Sequence, residues 1–236
     1  MQKNPTSIDK SLSETIRNSN LQKVTVGLAE TALDSVLDDG ILRDLPIIGT
    51  LVGLGKATVN IKNQLFLKKV IHFLYELRDV PVQARMKMID RVDNGQKYRI
   101  RVGEQLNYIL DKCNDHLHAE YLAQFFRAYL TEKISYSDFL KGGVIIQNVF
   151  TEDLEYFLTT EKEQFNVQAS PAEAPHEEHF PLINVGILGF GYNPIRVENQ
   201  WDHEMSEEYI VRGGEAVIWT TSIGDKLKEH LKVKTS

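Results

Sequence analysis

From residue 21 the apolar positions fall at helical spacing. Leu21, Val24, Leu28, Ala32 and Val36 recur in steps of three and four, and Asp38-Asp39-Gly40 closes the run with turn formers and a terminal glycine. In residues 65–77 the polar positions Lys68, Lys69, His72 and Glu76 lie near one stripe. A helix apolar over most of its circumference belongs at the centre of a bundle. Three amphipathic helices follow. Val102, Leu106, Ile109, Leu110 and Cys113 share a face in the first, which makes Cys113 a core thiol. Tyr121, Leu122, Phe125, Phe126, Tyr129 and Leu130 recur in pairs four apart in the second. The third spans about 136–150 and is weakened by Gly142-Gly143. Thr151-Glu152-Asp153-Leu154 then reads as an N-cap with acids in the first turn, opening a short helix to residue 158.

The flanks and the joint read differently. Residues 1–20 are polar, include Pro5, and are expected to form a flexible arm. Residues 159–178, with Glu161-Lys162-Glu163-Gln164 and the prolines Pro171 and Pro175, predict a linker with little to bury. Beyond it the period shortens. Residues 209–219 read as a hairpin turning at Gly213-Gly214, where a tight turn needs positive φ. Ser222-Ile223-Gly224-Asp225 caps a last helix with Ile223, Leu227 and Leu231 on one face. The expected fold is mainly α: a helical bundle over 21–158, the linker, and a smaller α+β unit over 179–236.

Two resemblances sharpen this picture. Helices near 136–148 and 151–158, a third near 181–187, a β-wing containing Arg212, Gly213 and Gly214, and a closing helix resemble a winged-helix domain in their order. The string Leu45-Pro46-Ile47-Ile48-Gly49-Thr50-Leu51-Val52, followed by Asn63-Gln64-Leu65-Phe66-Leu67-Lys68-Lys69, is similar to that of small bacterial helical proteins without a settled activity. That second likeness implies a bacterial or phage source.

The same string is the unusual segment of the chain, since Lys56 is the only charge between Leu45 and Ile61. Pro46 suits a first helical turn. Gly49-Thr50-Leu51-Val52-Gly53-Leu54-Gly55-Lys56 invites comparison with a phosphate-binding loop. The spacing is one residue too long, and Ala57 stands where a magnesium-ligating hydroxyl is required. Glycines at 49, 53 and 55 make better sense as a surface for close helix contact. The leading expectation is a core helix. The alternatives are membrane insertion on activation, with Pro46, Gly49, Gly53, Gly55 and Lys56 in the inserted segment, and a partner-binding hairpin.

Other candidate chemistry is thin. His176 and His179 are three apart, where a zinc-binding helix needs four, and His116, His118 and Glu120 lack a further ligand nearby. No nucleophile elbow or dinucleotide fingerprint occurs, and no acid, base and electrophile assemble. The expectation is a non-enzymatic protein with no cofactor and no metal. One cysteine in 236 residues favours a reducing, cytoplasmic setting, with no apolar leader at the start. Net charge is −6, and residues 166–236 hold six Lys and Arg against eleven Asp and Glu, a local −5 that repels phosphate. The expected partner is therefore another protein or a second copy. A membrane-perturbing effector of antiphage defence using residues 46–61 is the rival, and a winged-helix DNA-binding regulator the third reading.

Overall fold

A computed structural model describes residues 7–25, 44–53, 61–169, 176–200 and 208–233. It is mainly helical, with a small antiparallel sheet towards the C-terminus. Helices α1 (Ile8–Asn18), α2 (Pro46–Gly53), α3 (Ile61–Glu76), α4 (Val82–Asp93), α5 (Val102–Lys112), α6 (His116–Leu130), α7 (Tyr136–Asn148) and α8 (Thr151–Thr159) make the larger part. After them come β1 (Val167–Ala169), α9 (Phe180–Asn184), β2 (Leu188–Tyr192), β3 (Arg196–Gln200), β4 (Glu208–Arg212), β5 (Ala216–Thr220) and α10 (Ser222–His230). Buried side chains from Leu12 to Leu231 form one continuous apolar cluster.

The expected arm is the first correction. Ser7 accepts from the Lys10 amide as an N-cap, and α1 buries Leu12 and Ile16 against the bundle. Two apolar residues four apart are enough to dock a helix when neighbours also satisfy its polar groups. The Thr15 hydroxyl accepts from the Ile47 amide at 3.0 Å, and the Ser11 and Thr50 hydroxyls share a 2.6 Å hydrogen bond. An orphan amide near the start of α2 thus finds its partner on α1. The helix expected over 21–36 lies mostly outside the described residues; its described start, 21–25, holds a 3-10 turn at Leu21–Lys23.

Helices α3 and α6 run side by side in the same direction and form the centre. Lys69 of α3 meets residues 111 and 113, His72 meets Glu120, and Phe73 stacks on Phe126. Helix α7 lies close across α6 because it has no side chain at two positions. A Cβ on Gly142 would fall 2.1 Å from the Phe125 ring, and one on Gly143 3.2 Å from Ile109. Gly103 does the same for α5 and α1, where a Cβ would fall 2.3 Å from the Asp9 carbonyl oxygen, whereas Gly49 of α2 is exposed. Helix α8 begins at Thr151 with Phe150 as its N-cap residue, so Thr151 is not the cap; its hydroxyl instead faces Nδ1 of His118 at 3.4 Å.

The C-terminal part corrects the sequence reading at three points. The linker expected over 159–178 contains β1 and a fully buried Phe165, packed on Phe157 at 5.2 Å. The third helix is only α9, five residues long, followed at Gly186 by a positive-φ turn into β2. Strands β4 and β5 do not pair with each other as the expected hairpin. Strand β5 lies between β1 and β2, and β4 pairs with β3. The closing helix α10 is capped by Thr221, whose hydroxyl accepts from the Gly224 amide at 3.1 Å.

Candidate interaction surface

The two sheets are parts of one long ribbon. Antiparallel register runs from Leu188↔Thr220 to Tyr192↔Ala216 and resumes, unshifted, from Arg196↔Arg212 to Gln200↔Glu208. At a strand rise of about 3.3 Å per residue the ribbon is about 40 Å long. Between the paired stretches, residues 193–195 face residues 213–215 across a kink. The Asn193 amide donates to the Glu215 carbonyl at 2.9 Å, and the Gly214 amide donates to the Asn193 carbonyl at 3.0 Å.

Gly213 makes that kink. Its φ is 88°, and a Cβ there would lie 2.1 Å from the Pro194 carbonyl oxygen. Gly213-Gly214 therefore has the positive φ that the sequence called for, but in mid-ribbon and not at a hairpin tip. Gly213→Ala is expected to cost about 1–3 kcal/mol of local strain. Hydrogen exchange should show it as faster exchange of the Gly214 amide with little change in α3 and α6. An unaltered Gly214 rate would mean that the kink does not depend on this residue.

The ribbon is anchored at its base and carries exposed apolar side chains as far as Val197. Thr221 Oγ1 donates to the Gly186 and Ile187 carbonyls, with which it is 2.8 and 2.9 Å apart, so the start of α10 is fastened to the turn before β2. On one face Phe190 and Tyr192 meet edge to face at 5.2 Å. On the other, Trp219 lies over Gly189 and Gly191, whose missing side chains leave it room. Tyr192, Ile195 and Val197 are 67%, 68% and 61% exposed, and Phe190 and Trp219 are also open. Large apolar side chains grouped in this way are characteristic of contact surfaces. Among the described residues no strand pairs with the outer edge of β2 or of β3.

The other candidates from the sequence scatter. Pro46 begins α2 and is half-buried, Ile47, Ile48 and Leu51 are in the core, and Gly53 is the last residue of the helix. Gly55 and Lys56 lie outside the described residues. Among the described residues no helix is long and apolar enough to cross a membrane. Arg212 ends β4, exposed and opposite Arg196. Cys113 is buried at the C-terminus of α5, and burial pushes its thiol up to about 12. A neutral buried thiol is a poor nucleophile.

The histidines divide between structural pairs and buried rings. His72 Nδ1 sits 2.5 Å from Glu120 Oε1 in the buried α3–α6 seam, with the His116 ring 4.5 Å away. His118 is 2.9 Å from both Asp115 Oδ1 and the Val149 carbonyl, tying the start of α6 to the end of α7. His116, His118 and Glu120 thus turn to different partners, and among the described residues no group of three His, Cys, Asp or Glu could hold a metal ion.

Burial, as the largest cause, holds His116, His179 and His230 below the ordinary imidazole value of 6.5. The unfolded chain then binds more protons than the folded one as pH falls through that range. Their contribution is complete above the ordinary value and is lost on acidification, so the urea midpoint should fall between about pH 7 and about pH 5. His179 packs edge-on to Phe165 at 5.8 Å, and His179→Phe keeps the ring while removing the proton site. That variant should show a shallower decline. A slope equal to the wild type's would remove His179 from the account.

Two features that bind the fold together carry no sequence motif. Arg85 places a guanidinium in the bundle interior, and Lys228 of α10 donates to the Phe157 and Thr160 carbonyls while lying 4.7 Å from the Phe157 ring. Neither residue type stands out in sequence because exposed helical Arg and Lys look the same. Comparison with protein-family models, with curated proteins and with solved structures gives no match.

Proposed function

We propose that the protein is a non-enzymatic interaction protein that contacts other proteins, or a second copy of itself, through the β-ribbon. The observation that carries this reading is the run of exposed apolar side chains from Phe190 to Val197 on strands with open edges. An extended ribbon offers both a backbone edge for strand addition and aromatic side chains for pockets on a partner. The element order and the sheet order β1-β5-β2, with the ribbon extending beyond, support the likeness to a winged helix. Its third helix, Phe180-Pro181-Leu182-Ile183-Asn184, has no cation, and the acidic balance of the region repels phosphate. Both favour a wing that contacts protein over one that reads DNA.

The double substitution Tyr192→Asp with Val197→Asp tests the reading. Sedimentation velocity across a concentration series follows self-association, and quantitative cross-linking follows other proteins. The variant should bind at least tenfold more weakly to whatever the wild type retains, with an unchanged far-UV circular dichroism spectrum. Equal retention by a folded variant overturns the ribbon as the contact surface.

A further inference from the structure

We infer that the cleft between α4, the start of α7 and α10 is a binding site for a small organic anion with a planar ring. The cleft is about 500 Å³, within the size range of small-molecule sites, and none of its lining residues belongs to the ribbon. Its wall is aromatic. The Tyr98 ring meets the Tyr136 ring edge-on at 4.8 Å, and the Tyr129 ring stands 5.1 Å from Tyr136.

The chemistry of the wall is incomplete as it stands. The Tyr129 hydroxyl donates to the Met88 carbonyl at 2.6 Å, but the buried Tyr136 hydroxyl has no hydrogen-bond partner. A buried orphan polar group costs about 1–3 kcal/mol, and native folds rarely leave one without reason. An oxygen of a bound molecule would accept from it. Burial pushes the Tyr136 phenol well up from its ordinary value, so it is present as a donor.

The rim points to negative charge. Arg91, Lys97, Lys133 and Lys226 line the cleft against Glu132 and Asp138. Both acids already have partners: Glu132 lies 2.5 Å from Lys87, outside the cleft lining, and 4.0 Å from Arg91, and Asp138 lies 2.7 Å from Lys226. Lys97 and Lys133 are therefore the surplus cations beside the aromatic wall. Glu132, with φ 60°, closes α6 on the cleft side as the left-handed residue of a helix cap, where the Lys133 amide donates to the Ala128 carbonyl at 2.9 Å.

Planar anions of this size come as nucleoside monophosphates or as aromatic carboxylates, and titration calorimetry at low salt separates them. AMP and GMP form one arm, and 4-hydroxybenzoate and indole-3-acetate the other. Saturable binding is expected in one arm, weakening with added salt. Tyr136→Phe should weaken it at least tenfold while leaving the unliganded Tm equal or higher, since it removes only the orphan hydroxyl. Lys97→Ala should also weaken it and flatten the salt dependence. The proposal is overturned if neither arm binds at millimolar concentration, or if Tyr136→Phe and Lys97→Ala bind as the wild type does. The ribbon variant Tyr192→Asp with Val197→Asp should bind normally, which keeps this site distinct from the proposed contact surface.

Discussion

Replacing Arg85 by alanine is expected to lower the unfolding free energy by about 3–5 kcal/mol. Arg85 is 2% exposed. Its Nε donates to the Val80 carbonyl at 3.1 Å, while its two terminal nitrogens donate to the carbonyls of Ile16 and, at 2.9 Å, Ser19. The last two acceptors belong to the end of α1 and the residue capping it, where carbonyls lack helical partners and the helix dipole favours a cation. One side chain therefore closes α1 and fixes the chain entering α4. Truncation leaves carbonyls without partners and a cavity. Burial lowers the Arg85 pKa from its ordinary value, yet a guanidinium held by carbonyls keeps its charge at neutral pH. Arg85→Lys should recover only part of the loss, because an ammonium cannot span the same fork of acceptors. Urea unfolding measures both variants. A midpoint for Arg85→Ala within error of the wild type would show that α1 docks without this clamp.

Gly142→Ala is the second large effect, and its sign is informative. On an exposed helix that change is stabilising by about 1 kcal/mol through propensity alone. Here the new methyl would stand 2.1 Å from Cε1 of Phe125, and Phe125 is fully buried among its neighbours. Overpacking should win, with a net loss of about 1–3 kcal/mol. Trimming the opposing ring provides the control. In the Phe125→Leu background Gly142→Ala should cost much less, a coupling that a double-mutant cycle reads directly. Additive losses would mean that α7 moves away from α6 freely and that the close approach is not enforced by the ring.

The elements of the helical core were legible for a simple reason. A helix that buries one face must repeat its apolar residues at 3.6, and the 102–113 and 121–130 patterns do so over several turns. Arg85 was not legible. Its sequence neighbours give it the look of a solvated helical arginine, and only the arrival of α1, whose last carbonyls lie nearly seventy positions away in the chain, makes it a buried donor. Helices do approach closely at glycines: Gly103 lies against the α1 backbone, Gly142 against Phe125, and Gly143 against Ile109 and Leu122. Of the glycines singled out in the 45–56 string, Gly49 is exposed and Gly55 lies outside the described residues. The hairpin reading erred for a related reason. Two adjacent glycines permit positive φ at a tip or at a kink, and pairing partners far along the chain decided between them.

The helical core, the burial of Cys113 and the acidic balance of the C-terminal region follow from the amino-acid order alone, because periodicity and charge are local properties of the chain. Only the tertiary structure brings residues 8–18 to dock as a helix, pairs residues 188–200 with 208–220 in one ribbon, and lines a cleft with three tyrosines, one of them with an unsatisfied hydroxyl. Each of these depends on which distant groups meet, and a hydrogen bond or a packing contact exists only once both partners have been brought together.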